Sequence, residues 1–159
     1  MKEVISLDNK FAGKTIHSVV ETYSDLLIRI AFQYTGSTTD AEYIVKEVYK
    51  KLMKYRKAFT HSNDMKVWLI RQAIKGSKLY MRSKNKNELR CLKLYEDDLL
   101  NKLFRLEEDE RIILFLHDYE GFTIEQVKAM LFKRGAQVIT ILESGRSKLN
   151  ASFDKEGVI

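Results

Sequence analysis

The sequence has no proline and only seven glycines in 159 residues. Without proline nothing interrupts a helix from within, and with so little glycine there are few sites for tight turns. Long helices with short connections are therefore expected, rather than strands and turns. The single cysteine, Cys91, excludes an internal disulfide and suits a reducing cytoplasm. No apolar run approaches the roughly 18 residues of a membrane span. The opening MKEVISLDNKFAGK lacks the apolar centre and cleavage site of a signal peptide. His17, His61 and His117 are scattered, Cys91 has no neighbouring base, and there is no glycine-rich phosphate loop. An enzyme is not expected, nor a cofactor, nor a metal.

What is present fits a soluble folded protein: 45% hydrophobic and 31% charged residues, with a length that allows one domain or two very small ones. The net charge of +6 is unevenly spread. Residues 1–86 hold 17 Lys and Arg against 8 Asp and Glu, a balance of +9; residues 87–159 hold 11 against 14, a balance of −3. Two units with different partners are implied, the first being the better candidate for a polyanion.

Residues 15–34 carry Ile16, Val19, Val20, Tyr23, Leu26, Leu27, Ile30, Ala31 and Tyr34 at helical spacing, with Gly36 as a stop. Thr39-Asp40-Ala41-Glu42 has the form of a capping box and opens a second helix. That helix buries Ala41, Ile44, Val45, Val48, Leu52 and Met53, and shows Tyr43, Lys46, Glu47 and Lys50 outward. After a polar loop, WLIRQAIKGSKLYMRSKNK reads as a third helix. Arg71, Lys75, Lys78, Arg82 and Lys86 form one positive stripe along it, with Ile70, Ile74, Ser77 and Met81 on another face. A solvated face would alternate signs; this one suits a row of phosphates, whose counterions it would release.

SKNKNELR at 83–90 starts a polar linker, and LKLYEDDLLNKLF after it is compatible with helix. Glu107 to Glu110 read as a first helical turn at the positive end of the macrodipole rather than as a cation site. Thr123-Ile124-Glu125-Gln126 is a second capping box. A connection at Phe132–Gly135 leads to a last helix through Val138, Leu142 and Leu149. A short capped helix, a turn and a second helix follow the plan of a helix-turn-helix.

Together these segments resemble the sigma-70 family of bacterial transcription initiation factors, in its smallest, extracytoplasmic-function (ECF) group. YSDLLIRIAFQYTGSTTDAEYIVKEVYKKLMK and KVWLIRQAIKGSKLYMRSKNK are similar to sigma region 2; LEEDERIILFLHDYEGFTIEQVKAML and VITILESGRSKL are similar to region 4. The resemblance implies an all-α chain of two small helical domains. These are a region 2-like bundle of three to four helices at 1–86 and a region 4-like helix-turn-helix domain at 105–159, joined by a linker at 87–104.

It also implies a function: binding core RNA polymerase, reading and opening the −10 element with region 2, and reading the −35 element with region 4. Arg71, Lys75, Lys78 and Arg82 would lie along promoter DNA. Phe59 and His61 would stack on an unpaired base and Asn63 would read a base edge, in a loop at Phe59–Met65. Trp68 reads as core packing. Asp40, Glu42, Tyr43, Lys46 and Glu47 would meet the polymerase, with Tyr43 and Lys46 standing where the family prefers an acid and a glutamine. In region 4, Gln137, Thr140, Ile141, Ser144 and Lys148 would face the groove, flanked by Lys133, Arg134 and Arg146. The family usually carries basic residues at the positions of Ile139, Ile141 and Ser144. Two readings of this helix stay open: it reads an A/T-rich −35 element, or its isoleucines bind a protein. An anti-sigma regulator is a further candidate partner.

Overall fold

In the computed structural model, residues 10–84 and 95–155 are described; Lys86 and Cys91 lie outside them. The chain divides after Ser83 into two compact units.

The first unit is three packed helices, α1 (Ile16–Thr35), α2 (Thr38–Lys54) and α3 (Ser62–Ser83), every pair in contact. The Thr15 hydroxyl caps α1 by accepting from the Ser18 amide at 3.1 Å. At the other end Gly36 takes a left-handed φ of 63° and its amide donates to the Phe32 carbonyl at 2.8 Å. A side chain there would be strained, so the glycine allows the immediate reversal into α2. The turn leaves Ser37 extended, and its hydroxyl accepts from the Asp40 amide at 3.3 Å. The cap of α2 is thus Ser37 and not the expected Thr39, because the left-handed glycine starts the next helix two residues sooner.

Leu27, Ile30 and Ala31 of α1, Ala41, Ile44, Val48 and Leu52 of α2, and Leu69, Ile70, Ala73 and Ile74 of α3 make the core. Met53, expected inside, is 47% exposed. It falls one position past the buried Leu52, about 100° round a helix of 3.6 residues per turn. The α2–α3 connection is tied down by main chain. Phe59 donates to the Lys10 carbonyl and accepts from the Ala12 amide, both at 2.9 Å, in an isolated bridge with Phe11.

The second unit holds α4 (Asp98–Phe104), α5 (Glu108–Leu114), α6 (Ile124–Leu131) and α7 (Gly135–Asp154); α5 runs on as a π-helical turn over Phe115–Tyr119. Residues 98–104, expected in the linker, are a helix packed on α7. Lys102 is buried there, bonded to Asp98 at 2.5 Å and over the Phe153 ring at 4.1 Å. The acid run opens α5 as expected, with Glu110 reaching back to the Glu107 amide at 3.1 Å. Thr123 and Gln126 form the expected reciprocal box of α6. Phe132 ends α6 at a left-handed φ of 53°, and Gly135, expected in the connection, is already the first residue of α7.

Candidate nucleic-acid and partner interfaces

Helix α3 buries Leu69, Ile70, Ala73, Ile74, Ser77 and Met81 against the bundle. The residues between them must point away, and these include the cations. Lys75 and Arg82 are exposed and Arg71 and Lys78 half-buried. Among the described residues no carboxylate pairs with Lys75, Lys78 or Arg82; every acid on α3 is Asp64, in its first turn. Their positive field therefore points to solvent uncompensated, which is the condition for holding a polyanion. Leu79, 50% exposed between Lys75 and Arg82, interrupts the charges and was not singled out by sequence reasoning. Its only signal was position, one turn beyond Lys75 and one before Arg82.

The expected base-capturing loop differs. Phe59 is only 9% exposed, stacked on Tyr55 with centroids 5.3 Å apart and tilted against Trp68 at 5.8 Å. It is packing, not a free stacking surface, because the bridge to residues 10–12 holds its backbone down. Trp68 packs on Tyr55 at 4.8 Å, in agreement with the sequence reading. The loop is also shorter than expected: α3 starts at Ser62, so Asn63 belongs to its first turn. His61 and Asn63 are exposed.

On α2, Glu42, Tyr43 and Lys46 are exposed, while two of the expected docking acids are engaged within the unit. Asp40 accepts from the Tyr80 hydroxyl at 2.8 Å and Glu47 from Lys50 at 2.7 Å. Tyr80 also meets the Tyr43 ring, centroids 5.6 Å apart, so α3 fixes where Tyr43 stands.

In the second unit two residues of the expected groove-facing row are tied to the unit itself. Ser144 and Lys148 both donate to the buried Glu110 carboxylate at 2.7 Å. They lie one turn apart on the side of α7 that faces α5. Gly145 lies between them, where an added Cβ would sit 3.3 Å from the Glu110 Cβ; this close approach is what a glycine inside the helix permits. Burial pushes the Glu110 carboxyl up, but the bonds from Lys148, Ser144 and the Glu107 amide outweigh it and hold it below the usual range. Arg146 forks onto Asp118, and that bond holds the Asp118 carboxyl low. Lys133 pairs with Asp109 at 2.9 Å.

Gln137 accepts from the Arg134 amide at 3.3 Å as part of the helix start, and the Thr140 hydroxyl donates to the Ala136 carbonyl at 2.9 Å. Ile141 is half-buried and Arg134 exposed. Also exposed on α7 are Gln137, Thr140, Arg146 and Lys148, and one side of it shows Ala136, Ile139, Thr140, Glu143 and Ser147. That side carries one acid and no cation.

Three comparisons bear on these surfaces. Residues 19–87, which span α1 to α3, match the family model of sigma-70 region 2. No curated protein sequence matches the chain. Among solved structures, the chain is similar to the sigma factor RpoE of Bartonella quintana, solved in complex with the anti-sigma factor NepR. That match has a TM-score of 0.73 at 16% identity, over 87% of this chain and 96% of that one. The likeness is one of all-α fold.

Proposed function

The chain carries a sigma-70 region 2 over residues 19–87, and on that premise we propose that it is a sigma factor of the ECF group. It binds core RNA polymerase, directs it to promoters and takes part in opening them, and performs no covalent chemistry of its own. The observation that carries this reading is the uncompensated row Lys75, Lys78 and Arg82 on α3, inside the matched segment. A row of cations gives phosphate contacts, which position a protein on DNA. His61 and Asn63, exposed where the same helix begins, are the residues we assign to base contact, and Arg71 precedes the row along the helix. Glu42, Tyr43 and Lys46 on α2 form the polymerase-facing surface. As the similar Bartonella protein is held by an anti-sigma factor, a regulator of that kind is a candidate partner here.

For the second unit the pairing of Lys133, Arg146 and Lys148 with Asp109, Asp118 and Glu110 favours the second reading: a protein-binding module rather than a −35 reader. Groove binding needs cations free to meet phosphates, and the outward row of α7 offers Ile139 and Glu143 instead.

Reconstituted transcription with core polymerase tests the whole proposal. Co-elution with core and mapped start sites support it. Co-elution without initiation leaves an interaction protein. Duplex binding without polymerase binding leaves a plain DNA-binding regulator.

A further inference from the structure

The strap of chain just ahead of α1, residues 10–14, is fastened to the α2–α3 connection, beside the residues assigned to base contact. Phe11 is fully buried, and its neighbours Lys10 and Ala12 pair with Phe59 through two main-chain bonds of 2.9 Å. The Lys10 ammonium donates to the Met53 carbonyl, also at 2.9 Å, and so ties the strap to the end of α2. To keep these contacts the chain must reverse at once into α1. It does so over Ala12 and Gly13, left-handed at φ 53° and 77°, with the Lys14 amide donating to the Phe11 carbonyl at 3.0 Å. Alanine rarely takes that conformation, and a residue held in it persists where its surroundings over-determine it. The bonds to Phe59 are such surroundings.

From the strap to the exposed site the path is short. Only Thr60 and His61 separate the pinned Phe59 from α3, which begins at Ser62. The Met65 amide already donates to the His61 carbonyl at 3.3 Å, so His61 itself is held to the first turn. So short a connection leaves little choice in the angle at which the chain enters the helix. The Phe59 ring is held in turn by Tyr55 and Trp68. His61 and Asn63, both exposed, are thus set in place by buried groups behind them. A site whose supporting groups let it shift by about 1 Å loses much of its function.

We propose that Phe11 is a positioning residue for promoter opening. It anchors the strap, the strap fixes Phe59, and Phe59 sets His61 and Asn63 at the angle from which they meet an unpaired base. The inference rests on the sigma reading and on the assignment of His61 and Asn63 to base contact. Opening, and not duplex binding, then depends on Phe11. The phosphate contacts of Lys75, Lys78 and Arg82 lie further along α3, where the buried face of that helix holds them.

The test uses the full-length chain with core polymerase on a promoter mapped by reconstituted transcription, with 2-aminopurine in the segment that opens. Its fluorescence rises as bases unstack. Phe11→Ala is expected to slow that rise by about tenfold, while the affinity of the chain for promoter-free duplex changes by less than about twofold. Phe11→Leu keeps the anchor apolar and should restore opening to within about twofold of the unmodified chain. Lys10→Ala gives up no buried apolar group, so folding is kept; it should slow opening by about threefold with duplex affinity again unchanged. In Phe11→Ala, hydrogen exchange should quicken at the Phe59 and Met65 amides and stay unchanged in the middle of α1 to α3. If those amides quicken and opening does not slow, the strap is only a cover and the proposal is overturned. If opening and duplex affinity fall in the same ratio, Phe11 merely holds the unit together, which overturns it too. Two controls leave Phe11 in place. An unmodified chain that opens no promoter removes the sigma reading, and His61→Ala with Asn63→Ala opening at the unmodified rate removes the base-contact assignment; either takes this inference with it.

Discussion

The two units treat the same residue type in opposite ways. Across the described residues the first carries 14 Lys and Arg against 6 Asp and Glu, the second 10 against 12. In the first, Lys75 and Lys78 of α3 pair with no acid among the described residues and their field reaches solvent. In the second, Lys133, Arg146 and Lys148 each close on an acid of their own unit. Charge pairing spends outside the reach of a ligand what an open cation would offer to it. The contrast teaches that a helix-turn-helix outline is not a DNA-binding surface unless its cations are free.

The largest effect should come from changing Lys75 and Lys78 to Glu. Initiation should be abolished and duplex affinity should fall by about 100-fold, with the slope against log salt reduced by about 2. Changing Arg146 and Lys148 to Gln in the same assay should alter duplex affinity by less than about threefold. If the second pair matters as much as the first, the contrast between the units is wrong.

Next in size is Glu110→Ala, which removes the acceptor shared by Ser144, Lys148 and the Glu107 amide. The second unit should lose roughly 2 kcal/mol. Hydrogen exchange should quicken in α5 and α7 and stay unchanged in α1 to α3.

A smaller effect concerns pH. Glu110 and Asp118 both titrate below their ordinary values of 4.5 and 3.8 in the folded unit. The stability they contribute is complete above those values and is lost as pH falls through the depressed ones. Denaturant unfolding of the second unit should therefore weaken progressively in acid below 4.5. In Glu110→Gln with Asp118→Asn, that part of the acid slope should vanish.

The smallest effect is expected at Phe132, left-handed at φ 53° and 79% exposed. Phe132→Gly relieves the backbone while giving up little burial, so the melting temperature of the second unit should rise, by up to about 1 kcal/mol in stability. A fall would show that the ring holds something in place.

How far the sequence could be read follows the same physics. Helices and core were legible because their periodicity is local: Val19, Leu27 and Ile30, or Ile44, Val48 and Leu52, are inside as their spacing demands. The Thr123 and Gln126 box was legible for that reason also. The outward stripe of α3 followed once its buried face was known. What could not be read depends on distant partners. Nothing near Phe59 announces that residues 10–12 will pin its backbone, and nothing near Ser144 or Lys148 announces Glu110, 34 and 38 residues away. Of the row assigned to the groove, Ser144 and Lys148 are therefore tied to Glu110, while Gln137, Thr140 and Lys148 remain exposed. Met53 and Ser37 were missed by a residue or two, the ordinary error at helix ends.

Gly145 sets a limit on how the last helix can change. Its bare backbone lies against Glu110, where an added Cβ would stand 3.3 Å from the Glu110 Cβ and require that neighbour to give way, so the glycine favours one rotation of α7 about its own axis. Exchanging side chains on its outer row leaves this contact intact, but adding or deleting one residue ahead of position 145 would swing the bare patch away by about 100°. Homologous chains should thus vary in what this helix displays and be strict in the count of residues that precedes its glycine.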